Sequence, residues 1–151
     1  MNSSKTDPMA QRVQSEVASL HHFFEQWFSG SLPRNDVNFA RLDRALAPTF
    51  ELITPDGRQV PREMLVRGLE ESHGKFERGG AAFEIEVRDL ESRELGDGLY
   101  LATYQEWHHT EHESVGRLSS ALFRVAPGAP NGLIWQHVHE TWLPDDDPES
   151  A

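Results

Sequence analysis

Near the middle of the chain, a tyrosine, a glutamate and a histidine stand two residues apart, at Tyr104, Glu106 and His108. On a β-strand this spacing points all three side chains to one face, because successive side chains point to opposite faces. A tyrosine can donate a hydrogen bond to a forming oxyanion, while a histidine or a carboxyl group with a raised pKa transfers the proton. The trio therefore indicates general acid–base catalysis. The alternative is that strand alternation alone grouped these residue types.

The opposite face of the same strand carries amide and aromatic side chains together with another histidine. Gln105 and Trp107 are predicted to line a pocket, and Trp107 also suits a subunit interface. His109 is the alternative to His108 as a hydrogen-bond donor in catalysis. The sequence leaves open which of the two faces lines a pocket, because alternation defines two faces without saying which one is inward.

Two further histidines, His137 and His139, share one face of the last predicted strand. Two imidazoles aimed the same way form half of a metal site, which a carboxylate such as Glu106 or Glu111 could complete. The favoured interpretation is that these histidines are packed or solvated, so no metal ion is predicted. Neither a Gly-x-Gly-x-x-Gly motif nor a Walker motif occurs, and no cofactor is expected.

The composition excludes several classes of protein. The 151 residues include 14 Lys+Arg and 25 Asp+Glu, and the formal charge of −11 argues against a nucleic-acid partner, since phosphate contacts need clustered basic residues. The chain has no cysteine, which excludes disulfides and thiolate chemistry. No apolar stretch approaches the roughly 20 residues that span a bilayer, and residues 1–8 lack the apolar core of a signal peptide. We therefore expect a cytoplasmic protein without a membrane partner.

Three helices are predicted, and the first has the clearest pattern. Its apolar residues recur at spacings of three and four, which places them on one face of a helix over residues 9–28: Val13, Val17, Leu20, Phe24 and Phe28. Asp7 and Pro8 suit the start of this helix. A second helix is expected over residues 36–47, ended by Pro48, and a third over residues 61–77.

Strands dominate the second half of the chain, where the apolar period changes to two. A strand is expected from about Ala81, and three more over residues 99–110, 115–125 and 133–143. A shorter strand over residues 49–54 precedes the third helix. Helices segregated from consecutive antiparallel strands predict an α+β fold. The length suits one domain over residues 9–143, between a disordered N-terminus (residues 1–8) and an acidic, flexible tail (residues 144–151).

Three segments resemble the NTF2-like superfamily, which includes the SnoaL-like and DUF4440-type proteins. The stretch from Phe39 to Gly57 is similar to that superfamily's helix followed by an "aPdFeli.pdG" hairpin, and residues 61–75 are similar to its third helix. Residues 133–141 resemble its terminal strand, W-x-I-x-x-x-H-x-S, with Leu133 in place of the tryptophan and Thr141 in place of the serine. The resemblance covers roughly residues 10–143.

This resemblance implies a cone: a strongly curved antiparallel sheet wrapped around three N-terminal helices, with an internal pocket between them. It also implies a homodimer packed through the outer face of the sheet. In the related kinase association domains, a pocket arginine follows the His-x-His pair, and Glu140 stands at that place here. By resemblance, Gln136, Val138 and Glu140 line the pocket. The first helix walls the pocket in such proteins, which makes Trp27 a pocket candidate, with the core as its alternative.

Two functions follow as hypotheses. The first is a cofactor-free isomerase, dehydratase or cyclase that binds a small, largely apolar molecule, with Glu140 or Glu106 as the base. Tyr104 and either His108 or His109 would be its hydrogen-bond donors. The second is a non-catalytic module that binds a ligand or associates as a dimer. Catalysis is favoured if Glu140, Tyr104 and a histidine converge inside one cavity.

Overall fold

A curved six-stranded sheet packs against three helices in the computed structural model, which describes residues 7–76 and 83–144. The helices are α1 (Pro8–Ser29), α2 (Asp36–Ala45) and α3 (Arg62–Glu71). The strands are β1 (Leu46–Ile53), β2 (Gln59–Pro61), β3 (Glu84–Gly96), β4 (Leu99–His109), β5 (Ser114–Val125) and β6 (Leu133–Trp142). The predicted α+β cone is confirmed. Residues 1–6 and 145–151 lie outside the described residues, so their predicted disorder stays a prediction, whereas Pro8, placed in the predicted disordered N-terminus, begins α1.

Helix α1 forms where the apolar spacing predicts it. The Asp7 side chain accepts a hydrogen bond from the Met9 amide at 3.0 Å, which satisfies one of the free amides of the first turn. Gly30 ends the helix in the left-handed conformation, with φ at 81°. The apolar face of α1 is buried against the concave side of the sheet, where Val13 and Val17 are fully buried. None of the described helices is long and apolar enough to cross a membrane.

The sheet has the order β2-β1-β6-β5-β4-β3. Its pairs are antiparallel except one, because β1 lies parallel to β6. The sheet is therefore mixed, whereas the resemblance implied an antiparallel sheet. Strands β1 and β6 are free to run in the same direction because α3 and four strands of the same sheet separate them along the chain, so no hairpin connects them. This pairing joins the first strand along the chain directly to the last one.

Two predicted helix ends are wrong. Helix α2 ends at Ala45 rather than at residue 47, and Pro48 lies within β1. The register of β1 on β6 shifts between Leu46 and Glu51, so the proline occupies an irregular stretch where no ladder amide is needed. Helix α3 ends at Glu71, and the following turn is held by α1 instead: the Phe76 amide donates to the Phe28 carbonyl at 2.9 Å. Residue 77 lies outside the described residues.

A bulge in β6 decides which of its side chains face the helices. Phe123 on β5 pairs with Trp135, whereas Leu122 pairs with His137, so Gln136 is an extra residue without a partner in the ladder. Beyond the bulge the faces exchange, and Trp135, Val138 and Glu140 all lie on the concave side, which simple alternation cannot produce.

Candidate functional site

A cavity of about 250 Å³ lies between the concave face of the sheet and the helices. Leucine and phenylalanine side chains of all three helices and β1 form its apolar wall. Its polar wall is formed mainly by the inward-facing residues of β4, β5 and β6. The polar lining residues are His21, Lys75, Tyr104, Glu106, His108, Arg117 and Glu140. An apolar cavity with a few convergent polar groups is the usual form of a small-molecule site.

Glu106 bridges two histidines inside this cavity. Its Oε1 lies 2.9 Å from Nε2 of His21 on α1, and its Oε2 lies 2.6 Å from Nε2 of His108 on its own strand. The carboxylate is 6% exposed and His21 is 4% exposed. Charged groups at such depth persist only when they are paired and hydrogen-bonded, a condition that both carboxylate oxygens meet here.

The hydrogen bonds of His21 decide where its protons lie. Its Nδ1 is 2.7 Å from the Val17 carbonyl, which can only accept, so Nδ1 carries a hydrogen. Its Nε2 faces the Glu106 carboxylate, which also accepts when ionised. Burial opposes a charge on His21, but the carboxylate outweighs burial and raises the pKa of the imidazole. Burial likewise opposes ionisation of Glu106, yet the two histidines hold its pKa well below the usual range. Both shifts favour an imidazolium paired with a carboxylate.

Glu140 is the second carboxyl group of the cavity, and its pKa moves the other way. Burial and the nearby negative charge of Glu106 raise the pKa of Glu140, against the opposing effect of Arg117. Arg117 donates from Nη1 to Glu140 Oε1 at 3.1 Å. The two carboxyl groups of this cavity thus have pKa values shifted in opposite directions. In such a pattern the group with the lowered pKa, Glu106, keeps its charge, and the group with the raised pKa, Glu140, can exchange a proton.

Tyr104 completes the polar wall. Burial, with the negative charges of Glu106 and Glu140, raises the pKa of its phenol well above the usual value. The phenol therefore keeps its hydrogen at neutral pH and can donate it to a ligand. The ring of Tyr104 meets the His21 ring edge-on, with the centroids 5.5 Å apart.

The structure brings together five of the ten predicted site residues. Tyr104, Glu106, His108, Val138 and Glu140 line the cavity. Their catalytic roles remain predictions.

The other face of β4 does not reach the cavity, so Gln105 and Trp107 are not among its lining residues. The Trp107 indole donates to Gln105 Oε1 at 2.9 Å and packs on the outside of the sheet, over Gly116. His109 also lies outside, 2.8 Å from Glu86 Oε1, and cannot serve the cavity. Strand alternation imposes this separation, since neighbours of Tyr104 and Glu106 must face away.

Two more predicted pocket residues, and the two histidines of the metal alternative, lie elsewhere. Trp27 is a core residue, 1% exposed, and its indole donates to the Leu69 carbonyl at 2.8 Å. Gln136 is the bulge residue and is not part of the cavity lining. His137 and His139 lie on the outer face, and within residues 7–76 and 83–144 no three side chains of metal-ligand type form a cluster.

His21, Lys75 and Arg117 are site residues that the sequence analysis missed. His21 stands four residues after Val17 and three before Phe24, on the buried stripe of α1, and this polar residue in an apolar stripe is the signal that identifies it. Arg117 could have been found from its strand, since it lies opposite Glu106 in the β4–β5 register. Lys75 lies in a turn and carries no comparable signal.

Comparisons with known proteins agree with this architecture. Residues 13–144 match the family described as sucrose-6-phosphate phosphohydrolase C-terminal. Sucrose-phosphatase 1 from Nicotiana tabacum is 29% identical over 133 residues, which cover 85% of this chain and 30% of that protein. The chain thus corresponds to less than a third of the length of this relative.

Solved structures show the same fold at low identity. An NTF-2 like protein of unknown function from Pseudomonas aeruginosa superimposes with a TM-score of 0.74 at 20% identity, covering 87% of this chain and 98% of that chain. The CaMKII hub of S. rosetta superimposes with a TM-score of 0.60 at 8% identity, covering 90% and 95%. The chain belongs to the sucrose-6-phosphate phosphohydrolase C-terminal family and has the NTF2-like fold.

Proposed function

We propose that this protein binds a small molecule with a largely apolar body in the cavity, and that the polar wall transfers a proton within that molecule. One observation carries the proposal: the raised-pKa carboxyl group Glu140 lines the same cavity as the His21–Glu106–His108 cluster and the Tyr104 phenol. The apolar wall supplies binding energy by burying the body of the ligand. No cofactor takes part in the proposed reaction.

The proposed chemistry is an isomerisation or a dehydration. As a base, Glu140 takes a proton from a carbon next to a carbonyl group, and the electron pair moves onto the carbonyl oxygen. Tyr104 donates a hydrogen bond to that oxygen and stabilises its negative charge. The carboxyl group then returns its proton to another carbon, or to a departing hydroxyl group, which leaves as water. Glu106 keeps its charge throughout and holds His21 and His108 in place.

A cavity-filling variant tests the binding proposal. Leu65 on α3 lines the cavity, and Leu65→Trp is expected to fill much of it. We expect metabolites that raise the melting temperature of the wild type in a thermal-shift screen to lose this effect in Leu65→Trp. Its neighbour Met64 is 54% exposed, so Met64→Trp is the matched control and should keep the effect. Equal responses of the two variants would contradict binding in this cavity.

The catalytic part is tested separately, once a bound compound is known. We expect Glu140→Gln to lower turnover by about 100-fold or more, because an amide cannot act as a general base. Binding of the compound should be retained, since the glutamine side chain has nearly the same size and shape and leaves the apolar wall unchanged. A steady-state rate equal to that of the wild type would eliminate Glu140 as the base.

A second candidate function is a non-catalytic module that binds a ligand or associates with a second copy. The family match favours it, because the chain corresponds to only 30% of the tobacco sucrose-phosphatase. The outer sheet face would form the homodimer, and Leu118, 42% exposed, lies on it. Recovery of the bound compound unchanged after long incubation with the protein would favour this candidate over catalysis.

A further inference from the structure

Two basic side chains of the cavity lining reach solvent, and we call them the mouth pair: Lys75, and Arg117, whose side chain is 21% exposed. Lys75 is exposed, and its ammonium lies 4.5 Å from the ring centroid of Phe28 and 5.2 Å from that of Phe76. Aromatic faces hold a cation without neutralising it. Among the residues that the structure describes, no carboxylate forms an ion pair with Lys75.

Arg117 is held in place from two sides. Its Nη1 donates to Glu140, and its guanidinium carbon lies 5.1 Å from the ring centroid of Trp142. Its Nε is buried and has no hydrogen-bond partner within the described ranges. The guanidinium therefore retains donor capacity beyond the single carboxylate that it contacts, because it carries five N–H groups.

The charges around the cavity do not cancel. Among the lining residues that the structure describes, Lys75, Arg117 and the His21 imidazolium are positive, whereas Glu106 and Glu140 are negative. Although the whole chain has a formal charge of −11, these side chains of the cavity lining thus carry a surplus of positive charge. Burial of part of the Lys75 side chain, and then repulsion by Arg117, lower the pKa of Lys75.

We propose that the ligand of this cavity carries an anionic oxygen group, a carboxylate or a phosphate ester, which the mouth pair binds while the apolar body enters between the helices and the sheet. This inference rests on the proposed binding function and names the class of its ligand. An anion at the mouth relieves the repulsion between Lys75 and Arg117. It also orients the ligand, because the head group is fixed at Lys75 and Arg117 while the apolar body extends along the leucine and phenylalanine wall.

Four probes share a 3-phenylpropyl body and differ only in the head group: 4-phenylbutanoate, 3-phenylpropyl phosphate, 3-phenylpropanol and 3-phenylpropylamine. Isothermal titration of the full chain at low salt is expected to give an affinity about tenfold higher for at least one anion than for the alcohol, with the amine weakest. The stronger of the two anions identifies the head group. Added salt should reduce the affinity for the anions and leave that for the alcohol unchanged.

Variants at the mouth test the assignment to Lys75. Lys75→Met should lower the affinity for the preferred anion to about that for the alcohol, while Lys75→Arg should preserve it. Arg44 is exposed on α2, so Arg44→Gln removes one positive charge elsewhere and should change neither affinity.

The outcomes separate the two proposals. Equal affinities for the alcohol and both anions, or an anion affinity unchanged in Lys75→Met, would overturn the anionic ligand and leave binding in the cavity standing. Equal losses in Lys75→Met and Arg44→Gln would likewise overturn it, since the effect would then be one of net charge. Failure of all four probes to bind the wild type would overturn both proposals.

Discussion

Glu106→Leu is expected to lower the free energy of unfolding by about 3–5 kcal/mol, because it removes one partner of a buried ion pair and leaves the other without a counter-charge. Leucine occupies a similar volume, so the loss reports on the hydrogen bonds to His21 and His108 rather than on a new void. Urea unfolding followed by circular dichroism measures the change.

The His21–Glu106 pair also predicts how the stability of the fold depends on pH. The pKa of His21 is raised above its usual 6.5, so its contribution to stability is complete below that pH and is lost as the pH rises through the folded-state value. The pKa of Glu106 lies well below its usual 4.5, so its contribution is present above that pH and is lost on acidification. The stability difference between wild type and Glu106→Leu should therefore be largest between these two pH values.

Two variants control this result. Glu106→Gln should be less damaging, since its amide can donate to one imidazole and accept from the other, but the loss of stability at alkaline pH should disappear with the charge. His22 is exposed beside His21, and His22→Gln should leave stability within about 0.5 kcal/mol of the wild type. A Glu106→Leu protein as stable as the wild type across this pH range would refute the ion pair.

Glu16→Ala is expected to cost a similar amount, about 3–5 kcal/mol of unfolding free energy, for a structural reason. Glu16 is fully buried on α1 and accepts from Arg41 at 2.7 Å, from Asn131 at 2.9 Å and from the Trp135 indole at 2.8 Å. One carboxylate thus links α1 to α2, to the β5–β6 loop and to β6. Its removal leaves a partly buried guanidinium and a buried indole N–H without their acceptor.

Chemical unfolding at neutral pH measures the effect of Glu16→Ala. Glu94 is an exposed glutamate of β3, and Glu94→Ala is the matched control, expected to stay within about 0.5 kcal/mol of the wild type. Glu16→Gln should lie between the two, since the amide oxygen still accepts while the charge is lost. A Glu16→Ala protein that matches the Glu94→Ala protein would show that the three hydrogen bonds contribute little net stability.

The spacing of apolar residues along the chain was sufficient to predict much of the fold. The period of three and four residues defined α1, and the motif between Phe39 and Gly57 indicated the superfamily, though not the sucrose-6-phosphate phosphohydrolase C-terminal family. Alternation also placed Tyr104, Glu106 and His108 on one face of β4, where the structure has them, because β4 is regular through this stretch.

Contacts between distant parts of the chain determine which face of the sheet lines the cavity and which polar residues meet there. Alternation failed along β6, because the bulge at Gln136 exchanges its two faces. The pairing of His21 with Glu106 joins residues 85 positions apart, and no local period encodes such a contact. By itself, the sequence determined the elements and the side chains that share a regular strand, since these depend on backbone geometry a few residues long. Only the tertiary structure decided which face encloses the cavity and which charges meet inside it, because those depend on how the helices and the curved sheet pack together.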